Sequence, residues 1–234
     1  MIPIGDKIFL LANKKPLVVW FFIGINIALF LWEVKLEFSG ELASFVNNWG
    51  LIPQQITTAF NSAIVGNPAA WLIVFWRCLS IFSGMFLHSS YSQIVGNLIF
   101  LWVFGNTLEK IIGSRGFLLF YLFCGFLTGI VQILAQPGLT IPLIGANGAI
   151  ASVLGAYIYK FPKVKIDSIL PLVIIYIPVE LPAFFYAFWW FVQQLFYGIG
   201  SLNISGGVNP IGTGYLAHAV GLLIGVVWMV IMKL

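Results

Sequence analysis

Long apolar runs separated by short polar turns dominate the chain. The first, residues 16–32, follows the pair Lys14 and Lys15 and approaches the roughly 20 residues that cross a bilayer as a helix. It has neither the short apolar core nor the small-residue cleavage site of a secretory signal, so it predicts a retained first helix. Five further spans are predicted: residues 91–108, 117–136, a short one over 147–159, a fifth within 169–200, and 214–232. The fifth region is too long for one span and short for two. Pro171, Pro178 and Pro182 interrupt its first part, and helix interiors tolerate proline poorly. A broken or re-entrant piece is therefore predicted there, with a helix from about Leu181. Residues 35–75 read as a long loop whose scattered Trp, Phe and Pro suit the headgroup region.

Composition agrees with that pattern. The chain is 61% hydrophobic and 8% charged, with a mean hydropathy of +1.03, whereas soluble domains carry about a quarter charged residues. An all-α, multi-pass integral membrane protein is expected, with residues 1–234 forming one transmembrane bundle. The net charge of +4 fits basic loops better than nucleic-acid binding. With the N-terminus cytoplasmic, the inner loops hold Lys7, Lys14, Lys15, Lys110, Arg115, Lys160, Lys163, Lys165 and Lys233, and the outer ones only Lys35 and Arg77. The reverse orientation would break the positive-inside rule. Cys78 and Cys124 lack paired spacing and read as packing residues. With only His88 and His218 available, a catalytic zinc site, which takes three protein ligands, is not expected. No cofactor is expected either.

Polar residues inside apolar segments carry the chemistry, because polar groups at membrane depth face the bundle interior. Gln93 and Asn97 are four apart and share a helix face, with His88 just before them near the outer surface. Asn147 opens the predicted fourth helix, and His218 lies inside the sixth. Each has a plain structural reading: helix–helix hydrogen bonds for Gln93 and Asn97, an N-cap for Asn147, a satisfied interior histidine for His218. Together, on three helices, they imply a shared cavity. Ala217, Gly221 and Gly225 form a small-residue stripe at spacing four, as do Ala151 and Gly155, or Gly148 and Ser152, on the fourth helix. Such stripes let helix backbones approach closely, which would bring His218 near Asn147.

The segments FLHSSYSQIVGNLIFLWVFGNTLE, GANGAIASVLGAY, PAFFYAFWWFVQQ and AHAVGLLIG, in this order, resemble the rhomboids, a family of intramembrane serine proteases. The resemblance covers about residues 76–230. It implies a six-helix core and a serine–histidine dyad, the serine in a Gly-x-Ser-Gly motif at the start of the short fourth helix. His218 falls on the general base. Asn147 falls on the nucleophile, between Gly145 and Gly148 of the motif. The second-helix pattern of His, His and Asn appears as His88, Gln93 and Asn97, so glutamine replaces an expected oxyanion-hole donor. The fifth helix, with Trp189 and Trp190, would be the gate; the plain reading of those tryptophans is an interfacial aromatic belt.

An asparagine amide is not a useful acyl acceptor, and losing the nucleophile of a serine protease costs about six orders of magnitude in turnover. Glutamine still offers an N–H donor, as amide side chains do in oxyanion holes. Ser152 is about 7.5 Å farther along the helix and about 140° round, too far to share His218. The resemblance thus implies a rhomboid-like protein that binds transmembrane helices of client proteins in the lipid bilayer and is catalytically silent. The alternative is an active rhomboid endopeptidase in which Asn147 is an engineered or atypical substitution. Proton-coupled transport is disfavoured, because Glu180, near a helix end, is the only carboxylate expected at membrane depth.

Overall fold

The computed structural model describes residues 2–6, 8, 15–172, 175–193, 201–210 and 212–233. They are mostly helical. Helix α1, Leu17–Ser39, runs well past its predicted end, because Gly40 closes it in the left-handed conformation and donates its N–H to the Glu37 carbonyl, a common glycine stop. At its other end Val18 and Val19 donate their free N–H groups to the Glu109 carboxylate at 3.0 and 2.7 Å, which suits an acid at a helix N-terminus.

The predicted loop over 35–75 is instead mostly helical: α2 is Leu42–Trp49, α3 is Pro53–Ile64 and α4 is Ala70–Gly84. Pro53, one of the prolines of that expected loop, sits in the first turn of α3, where a missing N–H costs nothing. The scattered apolar residues have a helical period: Leu42, Val46, Ile56, Ala59 and Ala63 face inward. Val65, Trp71, Leu72, Phe75 and Trp76 remain outward.

Helix α5, Tyr91–Phe100, continues through five π-helical residues, Leu101–Gly105, into α6, Asn106–Ala135. The whole run of 45 residues is longer than a single crossing needs. Gly113, at φ 77° and ψ 158°, breaks it, between the predicted second and third spans. Among the described residues, three helical runs are long and apolar enough to cross a membrane: Leu17–Ser39, Tyr91–Ala135 and Thr213–Ile231.

Helix α7, Asn147–Lys160, is short, and its residues from Asn147 to Tyr157 are all buried. It packs on α9, Thr213–Ile231, by glycine contact. A Cβ on Gly221 would lie 2.3 Å from the Gly148 carbonyl oxygen, and one on Gly225 would lie 2.0 Å from that of Ser152. Gly155 meets the Leu222 carbonyl in the same way. Both candidate stripes of α7 are therefore used.

The all-α expectation and the re-entrant piece need correction. A three-stranded antiparallel sheet joins β1, Ile2–Asp6, to β2, Lys165–Leu172, and β2 to β3, Ile175–Pro182. Ile2 stands opposite Ile169, and Ile169 opposite Pro178. Three prolines exclude a helix here, while β-branched Ile166, Ile169, Ile177 and Val179 favour strands. Ile166 and Ser168, two apart, face the bundle, as a strand's alternation requires. Asp6 anchors β1 by accepting from Thr107 at 2.6 Å and from the Tyr157 hydroxyl at 2.8 Å. Glu180 is not at a helix end but on β3, in a half-exposed ion pair with Lys165 at 3.2 Å. Helix α8 spans Phe185–Gln193, starting beyond the predicted Leu181 because the strand runs on to Pro182; residues 194–200 of the predicted fifth span lie outside the described residues. Phe100, Phe104, Tyr157, Tyr186 and Trp190 form an aromatic centre between α5, α7 and α8.

Candidate functional site

The turn before α7 is held from several sides. Leu143 pairs with Leu51 through both backbone bonds, at 3.1 and 2.8 Å, and Gly145 donates to the Gly84 carbonyl at 2.9 Å. The Asn209 carboxamide grips Ile144 twice, accepting from its N–H and donating to its carbonyl, each at 2.9 Å. Gly145 has φ 115°, and a Cβ there would lie 2.3 Å from Gln93 Nε2, so only glycine fits. A Cβ on Gly148 would collide with Thr128 on α6.

Asn147 follows directly and is buried. It is not the cap of α7: Ala146 takes that place, without a side-chain cap bond. The Asn147 side chain instead faces α5, where its Oδ1 accepts from Asn97 Nδ2 at 3.4 Å. Asn97 Nδ2 also lies 3.0 Å from His88 Nε2. An amide nitrogen only donates, so this bond makes Nε2 the acceptor and puts the ring proton on Nδ1. Gln93 donates from Nε2 to the Ile144 carbonyl at 3.3 Å and accepts at Oε1 from the Ser89 N–H and hydroxyl, at 2.8 and 2.9 Å. His88, Asn97 and Asn147 thus form one hydrogen-bonded chain, while Gln93 bonds separately to Ser89 and Ile144 beside it. Its side chains include no reactive hydroxyl at the start of α7.

His218 is buried on α9, one turn before Gly221. Because Gly221 lies against Gly148, α9 carries His218 alongside the start of α7. The His218 ring is tilted over the Trp190 ring at 4.9 Å, and Phe191 meets it edge-on at 5.9 Å. Trp190 is fully buried and packs on Phe100 of α5 at 4.5 Å. That position is a bundle interior, so the aromatic-belt reading fails for Trp190; Trp189 beside it is half-buried. A cavity of about 40 Å³ opens next to Asn147, with Thr128, Gln132, Asn209 and Thr213 in its wall. Leu51, Ile81 and Met85 complete the wall, so polar and apolar groups share it, and the cavity has room for water. Ser152 is no replacement nucleophile: its buried hydroxyl donates to the Gly148 carbonyl at 2.9 Å.

Sequence reasoning missed two members of this region. Asn209 has no helical pattern to reveal it. Glu33 lay one residue beyond the predicted end of the first span, and the expectation that only Glu180 sits at membrane depth fails with it: Glu33 is fully buried on α1, as is Glu109 on α6. A residue later in the helix boundary would have exposed Glu33 as an acid in an apolar span.

The family model described as the Rhomboid domain matches residues 74–233. Rhomboid protease GluP of Bacillus subtilis is 31% identical over 151 residues, 63% of this chain and 25% of that protein. Rhomboid protein 1, mitochondrial, of Saccharomyces cerevisiae is 26% identical over 153 residues, 63% of this chain and 38% of the relative. Presenilin-associated rhomboid-like protein A, mitochondrial, of Danio rerio is 32% identical over 96 residues, 40% of this chain and 25% of the relative. The chain spans between a quarter and about two-fifths of the length of these relatives. The matched region begins in α4 and takes in the turn of Gly145, the α5 network and the glycine seam with α9: the chain belongs to the rhomboid family.

Proposed function

We propose that this protein is a six-span rhomboid that binds transmembrane helices of client proteins without cutting them. The six spans are α1, the α5 segment before Gly113, the α6 segment after it, α7, α8 and α9. The lysine bias of the loops sets the N-terminus on the cytoplasmic side. Helix α7 is too short for a full crossing, but it is enclosed by protein, where a short or irregular element is tolerated.

One observation carries the silent reading: at the position of the family's serine, an asparagine carboxamide accepts a hydrogen bond from Asn97. A hydroxyl paired with a histidine attacks a carbonyl; a carboxamide does not. What surrounds Asn147 still favours a bound peptide carbonyl, because Asn97 and Gln93 supply amide donors. The relatives include one named as a protease, which supports a scaffold able to receive substrate helices. Client entry is assigned to the seam between α5 and α8, with Trp190 on Phe100 as the contact that must part and Trp189 beside it as the gate's second member.

The test is photo-crosslinking. A photoreactive amino acid at position 189, in protein reconstituted in lipid, should capture single-span client helices interrupted by Gly or Pro. It should pass over uniform polyleucine helices of equal length. Equal capture of both would refute selection of weak helices. The runner-up reading, an active protease with an atypical or engineered Asn147, draws on the retained Asn97 and His218, and cleavage of the interrupted client by the native chain would favour it.

A further inference from the structure

Glu33 lies between Phe30 and Leu36 on the buried face of α1 and is itself wholly buried. A carboxylate in such a place is costly unless it is paired or hydrogen-bonded. Both of its oxygens face the backbone N–H of His88, at 3.2 and 3.0 Å, across 55 residues of chain. That N–H belongs to the turn leading into α5, where Ser90 caps the helix by accepting from the Gln93 N–H at 3.1 Å. The ring of the same His88 meets Asn97 Nδ2, and Asn97 Nδ2 reaches Asn147.

We propose that Glu33 is a positioning residue of the site. By holding the backbone of His88, it fixes where the imidazole stands. The imidazole in turn selects one orientation of the Asn97 carboxamide, the one that aims Nδ2 at the nucleophile position. This rests on the reading of Asn97 as a donor to the site's occupant. The function of α1 is then more than packing: it supplies the anchor of a chain of hydrogen bonds that ends at α7.

The chain has two histidines, so ¹⁵N-histidine labelling of the native protein yields two backbone amide signals, assigned with His218→Gln. Glu33→Gln leaves one acceptor oxygen where two now face the His88 N–H, which weakens the hold on that amide. The His88 amide proton should move upfield while that of His218 stays. Glu33→Leu removes the acceptor, and the Asn97 side-chain amide, seen by ¹⁵N-asparagine labelling and assigned with Asn97→Ala, should move while that of Asn61 on α3 stays. In an Asn147→Ser background, Glu33→Leu should lower the rate of fluorophosphonate labelling by about 10²-fold, the value of one oxyanion donor, and Glu33→Gln should restore most of it. An unmoved His88 amide in Glu33→Gln overturns the proposal, and that result decides the matter even if Glu33→Leu does not fold. A folded Glu33→Leu with a lower melting temperature but an unmoved Asn97 amide also overturns it, since that is the behaviour of a packing clamp. If Asn147→Ser takes no label in any background, the reading of the retained cavity fails, and the two amide signals still decide the role of Glu33.

Discussion

Adding one methyl group at the α7–α9 seam should destabilise the protein. The Cβ of Gly221→Ala would stand 2.3 Å from the Gly148 carbonyl oxygen and 2.8 Å from the Ala151 Cβ, and that of Gly225→Ala 2.0 Å from the Ser152 oxygen, where ordinary contact is 3.4–4 Å. The obstacles are backbone oxygens and an alanine Cβ, none of which can rotate away, so the helices must part by about 1 Å. Overpacking of this kind costs about 1–3 kcal/mol. For a chain of this size each kcal/mol lowers the midpoint by roughly 2–4 °C. The two sites share one seam, so the double variant should lose less than the sum of the singles. Gly24→Ala is the control, because nothing lies within 4 Å of its Cβ, and helix propensity alone favours alanine by about 1 kcal/mol. The assay is thermal unfolding in detergent, read by a thiol-reactive dye on Cys124, which is fully buried in the fold. Equal midpoints for Gly225→Ala and Gly24→Ala would refute the close approach of α7 and α9.

The native chain should not react with a fluorophosphonate, whereas Asn147→Ser should; His218→Ala should abolish that labelling, and adding Gln93→His should raise it. Labelling of the native chain would overturn the silent reading, and a folded Asn147→Ser,Gln93→His variant that stays unlabelled would show the site is misassigned. Asp6→Ala removes the acceptor of both Thr107 and Tyr157, so backbone amides of β1 should exchange with deuterium faster than in the parent, with α7 unchanged; equal exchange in β1 would mean that strand pairing alone holds it.

Sequence pattern revealed the long helices because lipid and bundle core demand the same apolar residues over a fixed length. Residues 16–32 therefore located α1, and the polar interruption between the predicted second and third spans located the break at Gly113 in the long run Tyr91–Ala135. It did not reveal where α1 ends, since that depends on a glycine cap and on whether Glu33 meets a partner. The buried polar cluster was legible in His88, Gln93, Asn97 and Asn147, whose polarity is out of place in apolar surroundings. Asn209 was hidden because it sits in a polar loop, where another asparagine attracts no notice. The sheet was hidden for a different reason: β1 has five residues, and its partner lies beyond most of the helices. Local propensity for 165–182 identified prolines correctly as helix breakers, but pairing between distant segments leaves no periodic trace.

The sheet also dictates an order of assembly. Ile2 has no partner until Ile169 has been made, and Asp6 has none until Thr107 and Tyr157 have entered the bundle. The strand made earlier must wait while the membrane helices insert, and the entropy of closing so long a loop falls on its docking. Once α6 and α7 have set their ends side by side, that loop has already been shortened by the bundle itself. Strand β1 thus acts as a clasp, fastened after the membrane-embedded parts are in place, and it joins the beginning of the described chain to the paired strands between α7 and α8.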